Sequence, residues 1–243
     1  MENLKSICLN SKVWRKTNIT NEGDVVIPDS FEYNGEKYLI DEINGNGFLM
    51  FNPKITSITI PNSVKKIDGQ SFRRCENLKK VNLSEGLIQI GAGAFTGCVS
   101  LTDITIPSTV ERIRLHAFNG CVNLTNLNIL NGVLQIEEGA FEECRNLKSV
   151  TIPESVINVE KFAFLGCRNL IEVNWNAKMR PTQEQLEYIF AVCPKLESIN
   201  YHGIKLDLRN ESLDDLINEK TELSSEEQNL SLDQIIKDAG EER

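Results

Sequence analysis

Seven cysteines and two histidines are the residues of this 243-residue chain with the widest chemical reach. A thiol beside an imidazole makes a nucleophile, and thiols gathered with imidazoles hold zinc. The spacing fits neither. Six of the thiols, Cys75, Cys98, Cys121, Cys144, Cys167 and Cys193, occupy one repeated position, each three residues after a phenylalanine and three before a leucine. No Cys-x-x-Cys pair occurs, and His116 and His202 are far apart in sequence. The thiol nearest His116 is Cys121, a member of the repeated set, whereas a catalytic thiol needs exposure and an activating neighbour. The pattern therefore predicts no catalytic residue, no metal site and no cofactor. Copies stacked at sheet spacing would stand about 4.8 Å apart with parallel Cβ vectors, beyond the ~3.8 Å mean Cβ separation of a disulfide. The expectation is a ladder of buried free thiols acting as small apolar side chains, with Cys8 outside it. The five Asn-x-Ser/Thr sequons, at Asn18, Asn82, Asn123, Asn210 and Asn229, read as accidents of an Asn- and Ser-rich chain.

The elements that position these residues follow from the period. Phe-x-x-Cys-x-x-Leu begins at Phe72, Phe95, Phe118, Phe141 and Phe164 in steps of 23 residues, then at Phe190 after a step of 26. A fixed period of this size is the mark of a stacked-repeat solenoid. Residues 57–60, 80–83, 103–106, 126–129, 149–152, 172–175 and 198–201 alternate with period two. They predict seven strands of one parallel sheet. A later Val/Leu-x-x-Ile, as at Val64 to Ile67, predicts a second short extended piece on the opposite wall. The three-residue spacing of the Phe-Cys-Leu set suits a single helical or 3₁₀ turn returning the chain to the next rung. The turn after the strand alternates between Pro (Pro61, Pro107, Pro153) and Gly (Gly86, Gly132), a superperiod of 46 residues that reads as duplication of a two-rung unit.

The run Ser-Ile-Thr-Ile-Pro-Asn-Ser-Val-Lys-Lys-Ile at 57–67, then Ser-Phe-Arg-Arg-Cys-Glu-Asn-Leu at 71–78, resembles the BspA-type leucine-rich repeat family. The pattern recurs along 55–170, with degenerate rungs at both ends. The resemblance implies a β-dominated α/β fold: a curved leucine-rich repeat solenoid of about seven rungs, used for contact with proteins or matrix and often found on microbial surfaces. It implies no shared active-site motif. Residues 26–30 and 40–48 look like one more rung split by 31–39, where Asn34-Gly35 marks a hairpin and Phe51 stands at the cysteine place. Residues 1–25, with Val13, Trp14 and Ile19, are expected to cap the front, and 181–190 to form a terminal rung with a larger helix. Ile204, Leu206 and Leu208 alternate as a last strand, and 212–215, 224–227 and 231–234 resemble capping boxes of short acidic helices. The chain thus divides into a cap and split rung (1–54), the solenoid (55–201) and a strand with an acidic tail (202–243).

Charge and hydropathy narrow the function. Residues 205–243 hold 12 Asp/Glu against 5 Lys/Arg, so −7 of the net −9 lies there and −2 in the rest. That leaves no basic stripe for nucleic acid. No run approaches the ~18 apolar residues of a membrane span. The start carries an early acidic residue and no long apolar stretch, unlike a secretory leader, which favours a cytoplasmic location with cell surface or secretion as the alternative. The expected function is a non-enzymatic protein-protein interaction module that binds its partner through the sheet face. An adhesin-like protein for host or matrix proteins, or a self-associating structural protein, is the alternative. Two side-chain columns should face outward. The irregular one includes Lys80, Asp103, Asn126 and Glu172, and the Asn/Thr one includes Asn82, Thr105, Asn128 and Thr151. These eight are the candidate contact residues.

Overall fold

Period-two alternation puts every second side chain of a strand on one face. In the computed structural model, which describes residues 5–17, 19–44 and 49–207, Ile104 and Ile106 are buried while Asp103 and Thr105 between them are exposed. In chain order the elements are β1 (Lys5–Leu9), α1 (Ser11–Trp14), β2 (Gly23–Val26), β3 (Ser30–Tyr33), β4 (Glu36–Ile43), β5 (Ile55–Thr59), β6 (Lys66–Ile67), β7 (Lys80–Asn82), β8 (Gln89–Ile90), β9 (Asp103–Ile106), β10 (Arg112–Ile113), β11 (Asn126–Ile129), β12 (Gln135–Ile136), β13 (Ser149–Ile152), β14 (Asn158–Val159), β15 (Glu172–Trp175), α2 (Gln183–Ile189), β16 (Ser198–Tyr201) and β17 (Ile204–Asp207). They form the β-dominated solenoid that the period predicts.

The two-residue strands make the expected second wall, in the order β1-β4-β6-β8-β10-β12-β14, with β3 antiparallel on β4. The longer strands make the opposite wall. There the expectation of one seven-stranded sheet needs correction, because the wall divides into β11-β9-β7-β5-β2 and β13-β15-β16-β17. Pairing runs rung to rung, Asp103 opposite Asn126 and Ser149 opposite Glu172; β11 and β13 lie side by side as the other neighbours do, but without ladder pairing. The split falls at the rung whose central inward residue is not β-branched. Leu127 is half-buried there, whereas Ile58, Val81, Ile104, Val150, Val173 and Ile199 are buried. A γ-branched side chain fits a pleated surface less well than Val or Ile.

The return segment is made of the expected single turns, closed by i→i+3 bonds, and none extends into a helix. Each carries two left-handed residues four apart: Gln70 and Arg74, Gly93 and Gly97, His116 and Gly120, Gly139 and Glu143, Phe162 and Gly166. A left-handed residue cannot continue a right-handed helix. Only the i→i+3 bonds remain, as from Cys75 N to the Phe72 carbonyl (3.2 Å). This flank forms a third ladder. Gln70, Phe72 and Arg74 N–H groups all donate forward to Ala92, Ala94 and Thr96, whereas the long-strand wall donates both ways, Lys79 N–H back to Thr56 and Ile60 N–H forward to Asn82. At the far end α2 and its exit supply the acceptors, Tyr188, Ile189 and Ala191, for Phe162, Phe164 and Gly166.

Proline and glycine turns interlock. A Cβ on Gly86 would overlap the carbonyl of Asn62, and one on Gly132 the carbonyl of Ser108, each carbonyl following a proline of the previous rung. In return Thr109 and Ser155 of the proline turns donate their hydroxyls to Leu87 and Val133 carbonyls at 2.7 Å.

At the front, Phe51 does not take the cysteine place. Cys75 Sγ donates to the Leu49 carbonyl, as Cys98 does to Phe72, so Leu49, 23 residues before Phe72, holds the phenylalanine position. Asn52 N donates to the Leu49 carbonyl at 3.2 Å, which puts Asn52 at the cysteine position. Phe51 instead sits exposed with φ +57, the Arg74 guanidinium 5.9 Å from its ring centroid. β1 extends the second wall and Trp14 of α1 is buried beneath it. Asn34 (φ 53) and Gly35 (φ 76) form the expected hairpin turn between β3 and β4. His202 (φ 48) and Gly203 (φ 85) repeat that turn and fold β17 antiparallel onto β16, covering the edge. α2 begins with a capping box between Thr182 and Gln185. Leu208 and the acidic capping-box segments lie outside the described residues.

Candidate functional site

The inner seam accounts for the repeated cysteines. Phe72, Phe95, Phe118, Phe141, Phe164 and Phe190 stack with successive centroids 5.1–5.5 Å apart. Each thiol donates to the carbonyl of the phenylalanine one rung back: Cys98 to Phe72 (3.2 Å), Cys121 to Phe95 (3.3 Å), Cys144 to Phe118 (3.4 Å) and Cys167 to Phe141 (3.4 Å). All seven cysteines are free. Burial pushes the Cys121 thiol up to about 12, and it drives Cys98, Cys144 and Cys167 well above the ordinary value. Cys8, outside the seam, is raised to about 11, first by burial and then by the Glu42 charge. A thiol that stays protonated is a poor nucleophile and a poor metal ligand. Among the described residues, no three His, Cys, Asp or Glu side chains gather to hold a metal ion.

All eight candidate contact residues lie on the outer face of the long-strand wall, and all are exposed. The structure does not bring them into one cluster. Lys80 and Asp103 are adjacent across β7 and β9, and Asp103 and Asn126 across β9 and β11, but Thr151 and Glu172 stand beyond the split. Asn82 donates to Thr59 Oγ1 at 3.0 Å, a rung of the Asn/Thr ladder. The column closes toward the far end, where Asn200 donates to Asn174 at 3.0 Å and Ser198 is buried.

Where β11 and β13 part, the face holds a cleft of about 280 Å³ lined by Asp103, Thr105, Thr125, Asn126, Asn128 and Ser149 among others. Among the described residues that line it, Asp103 carries the charge. The Thr102 hydroxyl and then the Asn126 amide, both donating to it, hold its carboxyl below the usual range. Thr102 and Thr125 were not among the expected residues, although both border the strands at one repeat position. Asp24 was also missed. It extends the same column by one rung, accepting from Ser57 Oγ at 2.6 Å, and the alternation before Ile27-Pro28 was the available signal.

The comparisons come to bear on this geometry. A family model describing the BspA type leucine rich repeat region matches residues 41–133 and 111–211, in six copies. Among solved structures, a leucine rich cell surface protein from Faecalibacterium prausnitzii A2-165 is 24% identical at a TM-score of 0.50. That alignment covers 68% of this chain and 50% of the other, so the chain spans half that protein's length. The T. pallidum leucine rich repeat protein is 20% identical at a TM-score of 0.53, covering 82% of this chain and 76% of that one. The pneumococcal vaccine antigen PcpA is 24% identical at 0.55, over 63% and 40%. These likenesses show the fold. No curated protein matches the chain.

Proposed function

The chain belongs to the BspA-type leucine-rich repeat family, and from that premise we propose that it is a non-enzymatic module that holds a protein partner against the outer face of its long-strand wall. Proteins of this repeat type are protein-interaction scaffolds, and among the described residues no helix is long and apolar enough to cross a membrane. The observation that carries the reading is the polar cleft where the wall divides, which sits on the exposed column at Asp103 and Asn126. The hydrogen-bonding groups there are exposed, and Asp103, although it accepts from Thr102 and Asn126, keeps acceptor capacity toward solvent. Lys80 on one side and Glu172 on the other vary the charge along the column, as a surface tuned to one partner does. An adhesin version of the same role draws support from the F. prausnitzii relative, a cell surface protein.

The test uses the whole chain beside a variant carrying Lys80→Glu, Asp103→Lys and Glu172→Lys. A protein captured by the parent is purified and titrated calorimetrically against both, after circular dichroism has shown equal melting. We expect at least a roughly tenfold loss of affinity, because like-charge contacts at an interface cost on the order of kcal/mol each. Equal affinity would remove the wall face from the reading.

A further inference from the structure

Five rungs repeat the same flank turn, so they differ there by side chain alone. At the first left-handed position the residues are Gln70, Gly93, His116, Gly139 and Phe162. The space over Gly139 is taken, since a Cβ there would overlap the imidazole of His116, which leans across from the rung before. Phe162 packs edge-on against Tyr188, with centroids 6.3 Å apart. Nothing leans over Gly93 in the same way. A Cβ there would stand 3.3 Å from Thr96 Oγ1 and 3.5 Å from Gln70 Cγ, and a hollow of about 260 Å³ lies above it.

The polar groups around the hollow are unevenly committed. Thr96 donates its hydroxyl to the His116 carbonyl at 2.7 Å, and Asn119 donates its amide to Glu142 Oε2 at 2.6 Å. His116 Nδ1 lies 3.1 Å from that same carboxylate oxygen, out of line for a hydrogen bond. Arg73 has no such anchor. Its Nη1 lies 3.4 Å from Gln70 Oε1, near the limit of a hydrogen bond, and its Nε is buried without a partner. Its neighbour Arg74 reaches Glu76 at 3.7 Å, but Arg73 makes no ion pair with any described carboxylate. The buried Nε is out of a ligand's reach, so a carboxylate in the hollow would engage the terminal Nη donors of this guanidinium, which has no carboxylate partner of its own among the described residues.

We propose that the hollow over Gly93 binds a carboxylate group, seated on the Arg73 guanidinium with the Gln70 amide beside it and the His116 ring opposite. Glu142, held behind Asn119 and His116, adds negative charge at the far wall. The site therefore favours a singly charged carboxylate over a phosphate dianion. The volume suits the end of one acidic side chain or a small organic acid. This flank lies away from the outer wall face, so the assignment stands or falls independently of the partner-binding reading.

The test is a nuclear magnetic resonance titration of the whole ¹⁵N-labelled chain, reading the Gly93 amide and the Arg73 Nε–H. The probes are sodium acetate, N-acetyl-glutamate amide and inorganic phosphate, at ionic strength matched with sodium chloride. Saturable shifts with both carboxylates support the site. Tighter binding of the blocked glutamate points to a protein side chain, and tighter binding of acetate to a free acid. Arg73→Gln should weaken the response read at Gly93 by roughly tenfold or more, the value of a charge-assisted hydrogen bond. Gly93→Asn, which tolerates the left-handed backbone while filling the space, should abolish the Arg73 response. No saturable shift, the same shift with chloride alone, stronger binding of phosphate, or an undiminished response in Arg73→Gln would each overturn the proposal.

Discussion

Cys121 is both a space-filler and a donor, and the two roles separate by substitution. Its Sγ lies 3.3 Å from the Phe95 carbonyl inside a fully buried seam. Cys121→Ala removes volume and donor together and should cost about 1–3 kcal/mol in urea unfolding. Cys121→Ser keeps a donor aimed at the same carbonyl and should cost less. A serine variant less stable than the alanine one would show that the thiol serves only as apolar volume. Asp103 offers a second test at this scale. Its carboxyl is held low by Thr102 and then Asn126, so whatever stability it contributes is complete above the ordinary aspartate value of ~3.9 and is lost as pH falls through its own lower value. Thr102→Val should move the Asp103 midpoint upward in a carboxyl ¹³C titration. A midpoint that stays put would remove the hydroxyl as the cause.

Among the elements, the turn after each long strand is the most demanding. Gly86→Ala drives a methyl into the Asn62 carbonyl of the preceding proline turn, backbone against backbone with no side chain to yield. We expect a loss of at least ~2 kcal/mol, within the range of core overpacking, measured by thermal or urea unfolding. Pro61→Ala, which removes only a conformational restriction, should cost less than Gly86→Ala, and the reverse order would discount the interlock. Element by element, the sequence was readable where one rung's chemistry suffices. Period two placed the strands, Asn34-Gly35 the hairpin and Thr182 to Gln185 the start of α2. It was misleading where a decoy lay one residue off, since Phe48 and Phe51 imitate the motif and Leu49 with Asn52 carry it. The split beside Leu127 and the hollow over Gly93 depend on how strands part and how His116 leans, which no single rung encodes. Thus the eight candidate residues could be placed on their face, but not the cleft that interrupts it.

For the molecule as a whole, the long-strand wall and the flank are finished at the far end of the described stack by its own parts. β17 covers the β16 edge, and α2 receives the flank ladder. Removing residues 211–243 should therefore leave the melting temperature unchanged. A clear drop would give that acidic segment a share in closing the stack. Among the described residues no further strand pairs with the β14 edge, and Ile157 and Tyr188 near it are exposed. Self-association through that edge would appear as concentration-dependent size in light scattering.

The interlocked turns also bear on how such a chain can change length over generations. Each glycine turn is shaped to admit the carbonyl of the proline turn before it, so a crossover that drops a single rung sets two turns of one kind side by side. Glycine against glycine leaves a gap, and proline against proline brings a carbonyl toward a residue that has a Cβ. Within 61–153 an exchange of whole pairs, the 46 residues from Pro61 to Pro107, keeps the alternating neighbours matched, whereas at the front the Pro28 and Pro61 turns lie on adjacent rungs, the step between them lengthened by the hairpin. Descendants of this gene are therefore expected to lengthen or shorten by pairs of rungs, and the heritable letter of the array is the couple rather than the single turn.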